Sequence, residues 1–239
     1  MSLQPYAELL EFNQPNPIRL AGFTRIRDQF PGLSFKRAVR QFRIYDTERV
    51  GEFSGRWDYG AENAAKLGQP AKDGTPIIQK WINSGEQSML EMAHATVFIE
   101  CSRVVTHELV RHRLASYQQE SQRFTLQVLD DDSFYIPPDL DKKVVDVIEM
   151  AYLGSVKAYE RAIALGLPKQ LARYVLPNGT RTRIIVSANL REWRHILKLR
   201  LHTSAQPEMR EVMKMIYDQM IEVFPQSLEG VLDGERGIR

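Results

Sequence analysis

The segment RHRLASYQQESQR, at residues 111–123, places Arg111, His112 and Arg113 side by side and returns to Arg123 after a polar stretch. Like charges held this close repel one another unless an anion answers them. Phosphate is the natural anion, because the planar fork of a guanidinium matches two phosphate oxygens at once. The pattern therefore indicates a nucleotide site, although a solvated basic helix end followed by a polar loop has the same composition.

Length and composition indicate one domain with a sizeable core. The chain has 239 residues, of which 43% are hydrophobic and 26% are charged, which is ordinary for a soluble globular protein. No apolar run approaches the ~20 residues that a membrane span needs, and the start of the chain lacks the pattern of a signal peptide. We therefore expect a cytoplasmic protein with no membrane partner, and a frayed tail at residues 230–239.

The positive charge is concentrated in one part of the chain. The net charge is only +2, which is too small to argue for nucleic-acid binding by itself. Residues 173–200 nevertheless carry seven arginine or lysine side chains and His195 against one carboxylate, Glu192. A local excess of this kind suits a bound anion better than the steering of a polymer. The single cysteine, Cys101, lies in an apolar run and is interpreted as a buried residue, not as a catalytic thiol.

Hydrophobic periodicity and capping residues predict the elements that carry these groups. Ser102 is expected to cap a helix that ends at residues 111–113, and Asn189, with Glu192 three residues later, to cap a helix reaching about residue 203. Strands are predicted at residues 17–27, 95–101, 133–138 and 181–188. Further helices are predicted at residues 34–45, 76–83, 139–165, 169–175 and 207–225, with residues 51–74 mainly loop. In the helix after Asn189, core positions are predicted for Trp193, Ile196, Leu197 and Leu199.

Several spaced blocks resemble the flavin-dependent thymidylate synthases. The Arg-His-Arg triplet followed by Ser121 matches that family's signature, within the longer block HELVRHRLASYQQESQRF at residues 107–124. Further blocks are matched by ARYVLPN at residues 172–178, by residues 189–200, and by residues 204–208. The resemblance covers residues 85–224, whereas residues 1–74 match the family poorly.

The resemblance implies a single-domain α/β (α+β) fold with one mixed sheet packed with helices, in a homotetramer that shares active sites between subunits. It implies transfer of a methylene group from methylenetetrahydrofolate to C5 of dUMP, giving dTMP, with a hydride from reduced FAD that NADPH regenerates. No protein nucleophile is needed, so the protein contributes electrostatics and orientation. The sequence has no Rossmann or P-loop motif and no zinc spacing, which agrees with a flavin site of the family's own type.

Matching motif positions implies roles for particular residues. Arg200 matches the catalytic arginine at the uracil ring, where a guanidinium would stabilise negative charge as N3 loses its proton. Substrate contacts are implied for Glu108, Arg111, Gln119, Glu120, Ser121, Gln122, Arg123, Arg173 and Arg200. Flavin contacts are implied for Ser88, Arg111, His112, Arg113, Gln119, Asn189, Arg191 and His195. No metal site is implied.

The sequence departs from the family pattern at several positions. Glu86 and Met92 stand where histidines are usual, and Glu108 stands where a glutamine is usual. An ionised glutamate only accepts hydrogen bonds, so Glu108 favours a partner with an extra donor, such as the 2′-hydroxyl of UMP or a cytosine amino group. One alternative is therefore a UMP-preferring C5 methylase of modified-nucleoside biosynthesis. An alternative of another class is a non-catalytic nucleotide- or RNA-binding protein, which the sparse aromatic residues near the motif disfavour.

Overall fold

The structure, a computed structural model, describes residues 6–12, 47–64, 66–127, 129 and 133–232. Its four-stranded sheet consists of β1 (Tyr6–Phe12), β2 (His94–Ser102), β3 (Ala115–Gln119) and β4 (Arg181–Asn189), in the order β1-β2-β4-β3. Each neighbouring pair is antiparallel. The prediction of a mixed sheet is therefore wrong for the described strands, whereas the α+β class is confirmed.

Helices of very different lengths surround this sheet. They are α1 (Thr47–Asp58), α2 (Ala61–Ala64), α3 (Ile77–Asn83), α4 (Arg103–Leu109), α5 (Lys142–Ala164), α6 (Lys169–Ala172), α7 (Leu190–Arg200), α8 (Pro207–Val223) and α9 (Pro225–Leu228). Two short 3-10 helices cover Ser88–Met92 and Arg173–Val175. The predicted helices in the described part of the chain are confirmed, with ends that differ by a few residues.

Three elements differ from their predictions. Most of α1 lies where a loop was predicted, because Gly51 and Gly55 argue against a helix. A Cβ atom at Gly55 would lie 2.6 Å from the Trp81 ring, so this glycine lets α1 pack closely on α3. The polar stretch after the motif forms β3, which was not predicted, and residues 133–138 contain only an isolated bridge from Phe134 to Thr180. The elements predicted at residues 17–27 and 34–45 lie outside the described residues.

The core lies between one face of the sheet and the helices α7 and α8. Strands β2 and β4 bury alternate side chains: Val97, Ile99, Cys101, Ile184, Val186 and Ala188. The two helices contribute Trp193, Ile196, Leu197, Met209, Val212 and Ile216. Cys101 is fully buried, and burial raises the pKa of its thiol, so an unreactive core role is confirmed. Leu199 is 49% exposed, so its predicted core position is wrong.

Strands β2 and β4 pass directly into helices, and both junctions are capped as predicted. The Ser102 hydroxyl accepts a hydrogen bond from the Val105 N–H at 3.4 Å, and the Asn189 side chain accepts one from the Glu192 N–H at 2.8 Å. Buried Glu208 of α8 accepts from the backbone N–H of Ser102 at 2.7 Å and from its hydroxyl at 2.5 Å. These contacts fix the starts of α4 and α7. Among the residues described, no helix is long and apolar enough to cross a bilayer.

Candidate active site

The Arg111–His112–Arg113 triplet lies in the turn between α4 and β3, just beyond the helix end at which it was predicted. The side chains of Arg111 and Arg113 are exposed, whereas that of His112 is buried between them. The hydroxyl of Tyr117, on β3, lies 2.8 Å from the carbonyl oxygens of both Leu109 and His112. Tyr117 therefore anchors the turn to the sheet. His112 points into the protein, whereas Arg111 and Arg113 on either side of it point into solvent.

Arg200, at the end of α7, makes three hydrogen bonds to this turn and to α4. Its Nε donates to His112 Nε2 at 3.0 Å, and its Nη1 donates to the Glu108 carboxylate at 2.8 Å. Its Nη2 donates to the Glu108 backbone carbonyl at 3.2 Å. A guanidinium has five N–H groups, so one hydrogen on each terminal nitrogen is still available for a ligand. The plane of the Arg200 guanidinium is thus fixed before any substrate binds.

A carboxylate and a guanidinium of opposite charge lie next to the two ring nitrogens of His112. The Glu192 Oε1 atom lies 3.7 Å from His112 Nδ1, and both side chains are almost fully buried. Burial, the charge of Arg200 and the nearby His195 lower the pKa of His112 to about 4. The imidazole is therefore neutral at physiological pH. We call Glu108, His112, Glu192 and Arg200 the Arg200 cluster.

A cleft of about 710 Å³ opens beside the Arg200 cluster. Its lining residues are Gln87, Glu91, Leu114, Asn189, Arg191, Glu192, Arg194, His195 and Lys198. The His195 ring lies edge-on to that of His112, with 5.7 Å between the ring centroids. Arg191 pairs with Glu91 at 2.5 Å across the cleft. Three of the residues matched to flavin positions, Asn189, Arg191 and His195, therefore line one cleft.

A second group of cations lies where β3 ends. Arg103, at the start of α4, donates from Nη2 to the Glu120 backbone carbonyl at 3.3 Å, while its buried Nε has no hydrogen-bond partner in the described part of the chain. Burial and then the charge of Arg173 lower the pKa of Arg103, and the charge of Glu120 partly opposes this effect. We call Arg103, Glu120 and Arg173 the Arg103 cluster. It has an uncompensated excess of donors, as expected of an anion site.

The remaining matched residues lie around these two clusters with different exposure. Gln119 donates to the hydroxyls of Thr106, at 3.0 Å, and Thr182, at 3.2 Å. Ser121 accepts from the Arg123 backbone N–H at 3.3 Å, and the Arg123 side chain donates to Gln170 at 3.2 Å. The segment after β3 is thereby held against α6, directly before Arg173. Gln122 is 7% exposed, so its side chain faces the interior.

Two positions at the edge of the cleft bear on the flavin assignment. Ser88 is the first residue of the 3-10 helix and is exposed, and the N-cap residue before it, Gln87, makes no side-chain cap bond. Glu86, one of the departures from the family pattern, accepts a hydrogen bond from the Tyr59 hydroxyl at 2.9 Å. Tyr59 lies in the part of the chain that the sequence resemblance does not cover.

The sequence reasoning missed Arg103 and Tyr117 as parts of the site. Arg103 follows the Ser102 cap and has no spacing that distinguishes it from a surface cation. Tyr117 gains its role only once β3 is recognised, because the alternation of β3 turns Tyr117 inward between the exposed Ser116 and Gln118. The alternation in this polar motif has too little apolar contrast to mark a strand, and Arg103 carries no local signal either.

Comparison with known proteins shows which family this chain is similar to. A family model described as "Thymidylate synthase complementing protein" matches residues 43–226. A flavin-dependent thymidylate synthase of Geobacter sulfurreducens is 37% identical over 198 residues, which cover 79% of this chain and 85% of that protein. The enzyme of the same name from Pyrococcus furiosus is 41% identical over 150 residues, covering 60% of this chain and 61% of that protein.

A solved structure extends the likeness to the fold of nearly the whole chain. The crystal structure of a UMP/dUMP methylase from Streptomyces cacaoi, bound with 5-Br dUMP, matches with a TM-score of 0.73 and 18% identity, covering 95% of each chain. The match to the Pyrococcus furiosus enzyme spans about three fifths of that enzyme's length. On the family model and the Geobacter relative, the chain belongs to the thymidylate synthase complementing protein family, that of the flavin-dependent thymidylate synthases.

Proposed function

We propose that this protein is a flavin-dependent methyltransferase that converts dUMP to dTMP. The methylene group comes from methylenetetrahydrofolate, and NADPH is the reductant of the flavin. The observation that carries the proposal is the Arg200 guanidinium, held in one plane beside a cationic cleft by His112 and Glu108. A rigid cation of this kind stabilises charge that develops on a bound pyrimidine without reorganising during the reaction.

Arg200 is the catalytic residue of this proposal. The free hydrogens on its terminal nitrogens would donate to O2 or N3 of the uracil ring, where negative charge gathers as N3 gives up its proton. Delocalising that charge into the ring makes C5 more nucleophilic, so Arg200 activates the carbon that accepts the methylene group. No side chain needs to attack the ring, and Ser121 therefore has a binding role.

The Arg103 cluster is the proposed site of the nucleotide phosphate. A dianionic phosphate would compensate the charges of Arg103 and Arg173, and after an adjustment of the Arg103 side chain it would supply an acceptor to the buried Nε, which has none among the described residues. Proposed contacts to the rest of the nucleotide come from Glu108, Arg111, Gln119, Glu120, Ser121, Gln122 and Arg123. Among these, Gln122 is buried and can contribute only through its backbone or by moving.

The cleft beside the Arg200 cluster is the proposed FAD site. Its volume and its cationic lining, which includes Arg191, His195 and Lys198, fit an aromatic ring system joined to a pyrophosphate. Arg111 and Arg113 are exposed next to it, and Ser88 and Gln119 complete the proposed contacts. The bound flavin, once reduced, would supply the hydride that completes the methyl group. The protein's own side chains would hold the pyrophosphate and orient the ring system.

A homotetramer with shared sites is also part of the proposal. Helix α5 has one fully buried residue, Tyr159, and leaves large apolar side chains exposed: Val147 at 64%, Met150 at 70% and Leu153 at 57%. On the far face of the sheet, Ile185 of the central strand β4 is 36% exposed. Surfaces of this kind are covered in oligomers. We propose a single-domain subunit that acts in the cytoplasm, without a nucleic-acid or membrane partner.

The alternatives gain no support from the site. Preference for UMP was inferred from a Glu108 carboxylate able to accept from a 2′-hydroxyl, but its Oε2 accepts from Arg200 at 2.8 Å, so Glu108 already has a role in holding that arginine. We therefore keep dUMP as the first substrate. A polymer-binding role would require a continuous cationic track with stacking aromatic rings, whereas the cations of the proposed site are divided between the cleft and the Arg103 cluster.

The test is product formation by the FAD-loaded protein. Purified protein is incubated with FAD, desalted, and then supplied with NADPH, methylenetetrahydrofolate and either dUMP, UMP or dCMP, and products are separated by mass. We expect a retained flavin absorption band and dTMP from dUMP. Retained flavin without dTMP formation would contradict the proposed reaction. Faster turnover of UMP than of dUMP would show that UMP is the preferred substrate.

A further inference from the structure

We propose that His112 and Glu192 are positioning residues, which set the orientation of the Arg200 guanidinium and do not bind the flavin themselves. The proposal rests on the function assigned to Arg200 above. It changes the interpretation of the Arg-His-Arg triplet. His112 then holds the catalytic arginine in place, whereas Arg111 and Arg113 remain the residues proposed to contact bound ligands directly. Two contacts support this role, one between Glu192 and His112 and one between His112 and Arg200.

The first of these contacts is between Arg200 and His112. Arg200 Nε donates to His112 Nε2 at 3.0 Å, so this ring nitrogen must present a lone pair. A protonated imidazole has no lone pair and would repel the guanidinium. The contact therefore requires a neutral His112 whose hydrogen is on Nδ1.

The second contact, with Glu192, favours the tautomer of His112 that carries its hydrogen on Nδ1. Glu192 Oε1 lies 3.7 Å from His112 Nδ1, on the opposite side of the ring from Arg200. This separation is too long for a direct hydrogen bond, but a buried carboxylate still attracts an N–H dipole that points towards it. Glu192 thereby favours the hydrogen on Nδ1, as carboxylates and carbonyl groups do when they orient histidines elsewhere.

Burial explains why His112 is unsuited to bind a ligand. The His112 side chain is 6% exposed and that of Glu192 is 8% exposed, whereas Arg111 and Arg113 on either side are exposed. Both ring nitrogens of His112 already face protein groups. The charged and titratable groups around the ring are Glu192, Arg200 and His195, and the first two account for its orientation.

The arrangement also connects the two ends of α7. Glu192 is in the first turn of this helix, where its backbone N–H is held by the Asn189 cap, and Arg200 is its last residue. His112 comes from the motif turn, which Tyr117 anchors to β3. A shift of the turn relative to α7 would thus rotate the Arg200 guanidinium. Misplacement of a catalytic group by about 1 Å can cost about 100-fold in rate.

The first test measures the hydrogen position and does not require activity. In FAD-loaded protein with ¹⁵N-labelled histidine, the ring nitrogen shifts of His112 are assigned by comparison with the His112→Gln variant. We expect a hydrogen on Nδ1 and a bare Nε2 from pH 6 to pH 8, and an increased share of the other tautomer in Glu192→Gln. A hydrogen on Nε2 in the unchanged protein would overturn the proposal, whether or not the protein makes dTMP.

The second test separates positioning from flavin binding. His112→Gln keeps an acceptor for Arg200 Nε in its amide oxygen, His112→Leu removes it, and His107→Leu changes an exposed histidine as a control. We expect His112→Leu to lower kcat for dTMP formation about 100-fold, with most of the loss recovered in His112→Gln. We expect the Kd for FAD to stay within about twofold in both variants. An equal loss of FAD affinity in both variants would show that His112 is a flavin contact and would contradict the proposal.

Discussion

The Arg200 cluster and the Arg103 cluster differ in how many hydrogen-bond acceptors the protein offers to their arginines. In the Arg200 cluster every nitrogen of the guanidinium donates to a protein acceptor, and a carboxylate compensates the charge. In the Arg103 cluster a buried Nε lacks a partner within the part of the chain that the structure describes, and a second arginine adds to the positive charge. The first cluster is built to hold one geometry, whereas the second is built to receive an anion. Four predictions test this difference.

The largest expected effect is the loss of Arg200. Arg200→Ala should lower kcat for dTMP formation about 100- to 1000-fold, the usual cost of removing a donor that stabilises transition-state charge. Arg200→Lys should recover little, because an ammonium cannot contact His112 and Glu108 in the fixed plane of a guanidinium. The measurement is the single-turnover rate with saturating dUMP. Full recovery in the lysine variant would mean that only charge matters and that the orientation of Arg200 does not.

The second prediction concerns the unsatisfied cluster. Arg103→Met should raise the KM for dUMP about 10- to 100-fold, from the loss of charge-assisted hydrogen bonds of about 1.5–3 kcal/mol, with little change in kcat. Binding of deoxyuridine, which lacks the phosphate, should be unaffected. The ligand-free variant should melt no lower than the unchanged protein, because it no longer buries an unpartnered nitrogen. An equal loss with deoxyuridine would place the phosphate elsewhere.

A smaller effect is expected from the anchor of the motif turn. Tyr117→Phe removes the hydroxyl that contacts the Leu109 and His112 carbonyls, so the free energy of unfolding should fall by about 1 kcal/mol. Chemical denaturation would measure this change. Tyr174→Phe, at a tyrosine that is 80% exposed, is the matched control. An equal loss in both variants would show that Tyr117 does not anchor the turn.

The last prediction is a pH dependence of stability due to His112. Because its pKa is lowered to about 4 in the folded protein, against about 6.5 when unfolded, the unfolded chain binds more protons between these values. Stability therefore rises with pH from 4 to 6.5 and is lost as pH falls through that window. Melting temperatures measured across it should fall less steeply for His112→Gln. Parallel curves for the two proteins would contradict a neutral, buried His112.

Local signals predicted the scaffold of the site well. Ser102 and Asn189 were recognised as caps because a short polar side chain precedes an apolar periodic run, and these caps fix α4 and α7 as predicted. The pattern did not reveal β3, since Ser116, Tyr117 and Gln118 carry too little apolar contrast to mark a strand. Leu199 was assigned to the core from its type, but Arg200 and the motif turn determine which side of α7 faces inward at that end.

The contacts within each cluster could not be predicted from the sequence, for a physical reason. Arg200 meets Glu108 and His112 only because β2 and β4 are adjacent and each continues into a helix. The sequence of neither strand indicates which other strand it pairs with. The resemblance supplied the roles of Arg200 and His112 as ligand contacts, whereas the burial of His112 required the fold. The same holds for Arg103, whose neighbour Arg173 lies far along the chain.

The direct passage from β4 to α7 at Asn189 has a consequence for how this chain can vary in length. With no loop between them, one inserted residue within β4 would exchange the faces of the following side chains, and one within α7 would turn Arg200 by about 100° around the helix axis. Either change would remove Arg200 from Glu108 and His112. We therefore expect the segment from Arg181 to Arg200 to accept no insertion or deletion without loss of the Arg200 contacts.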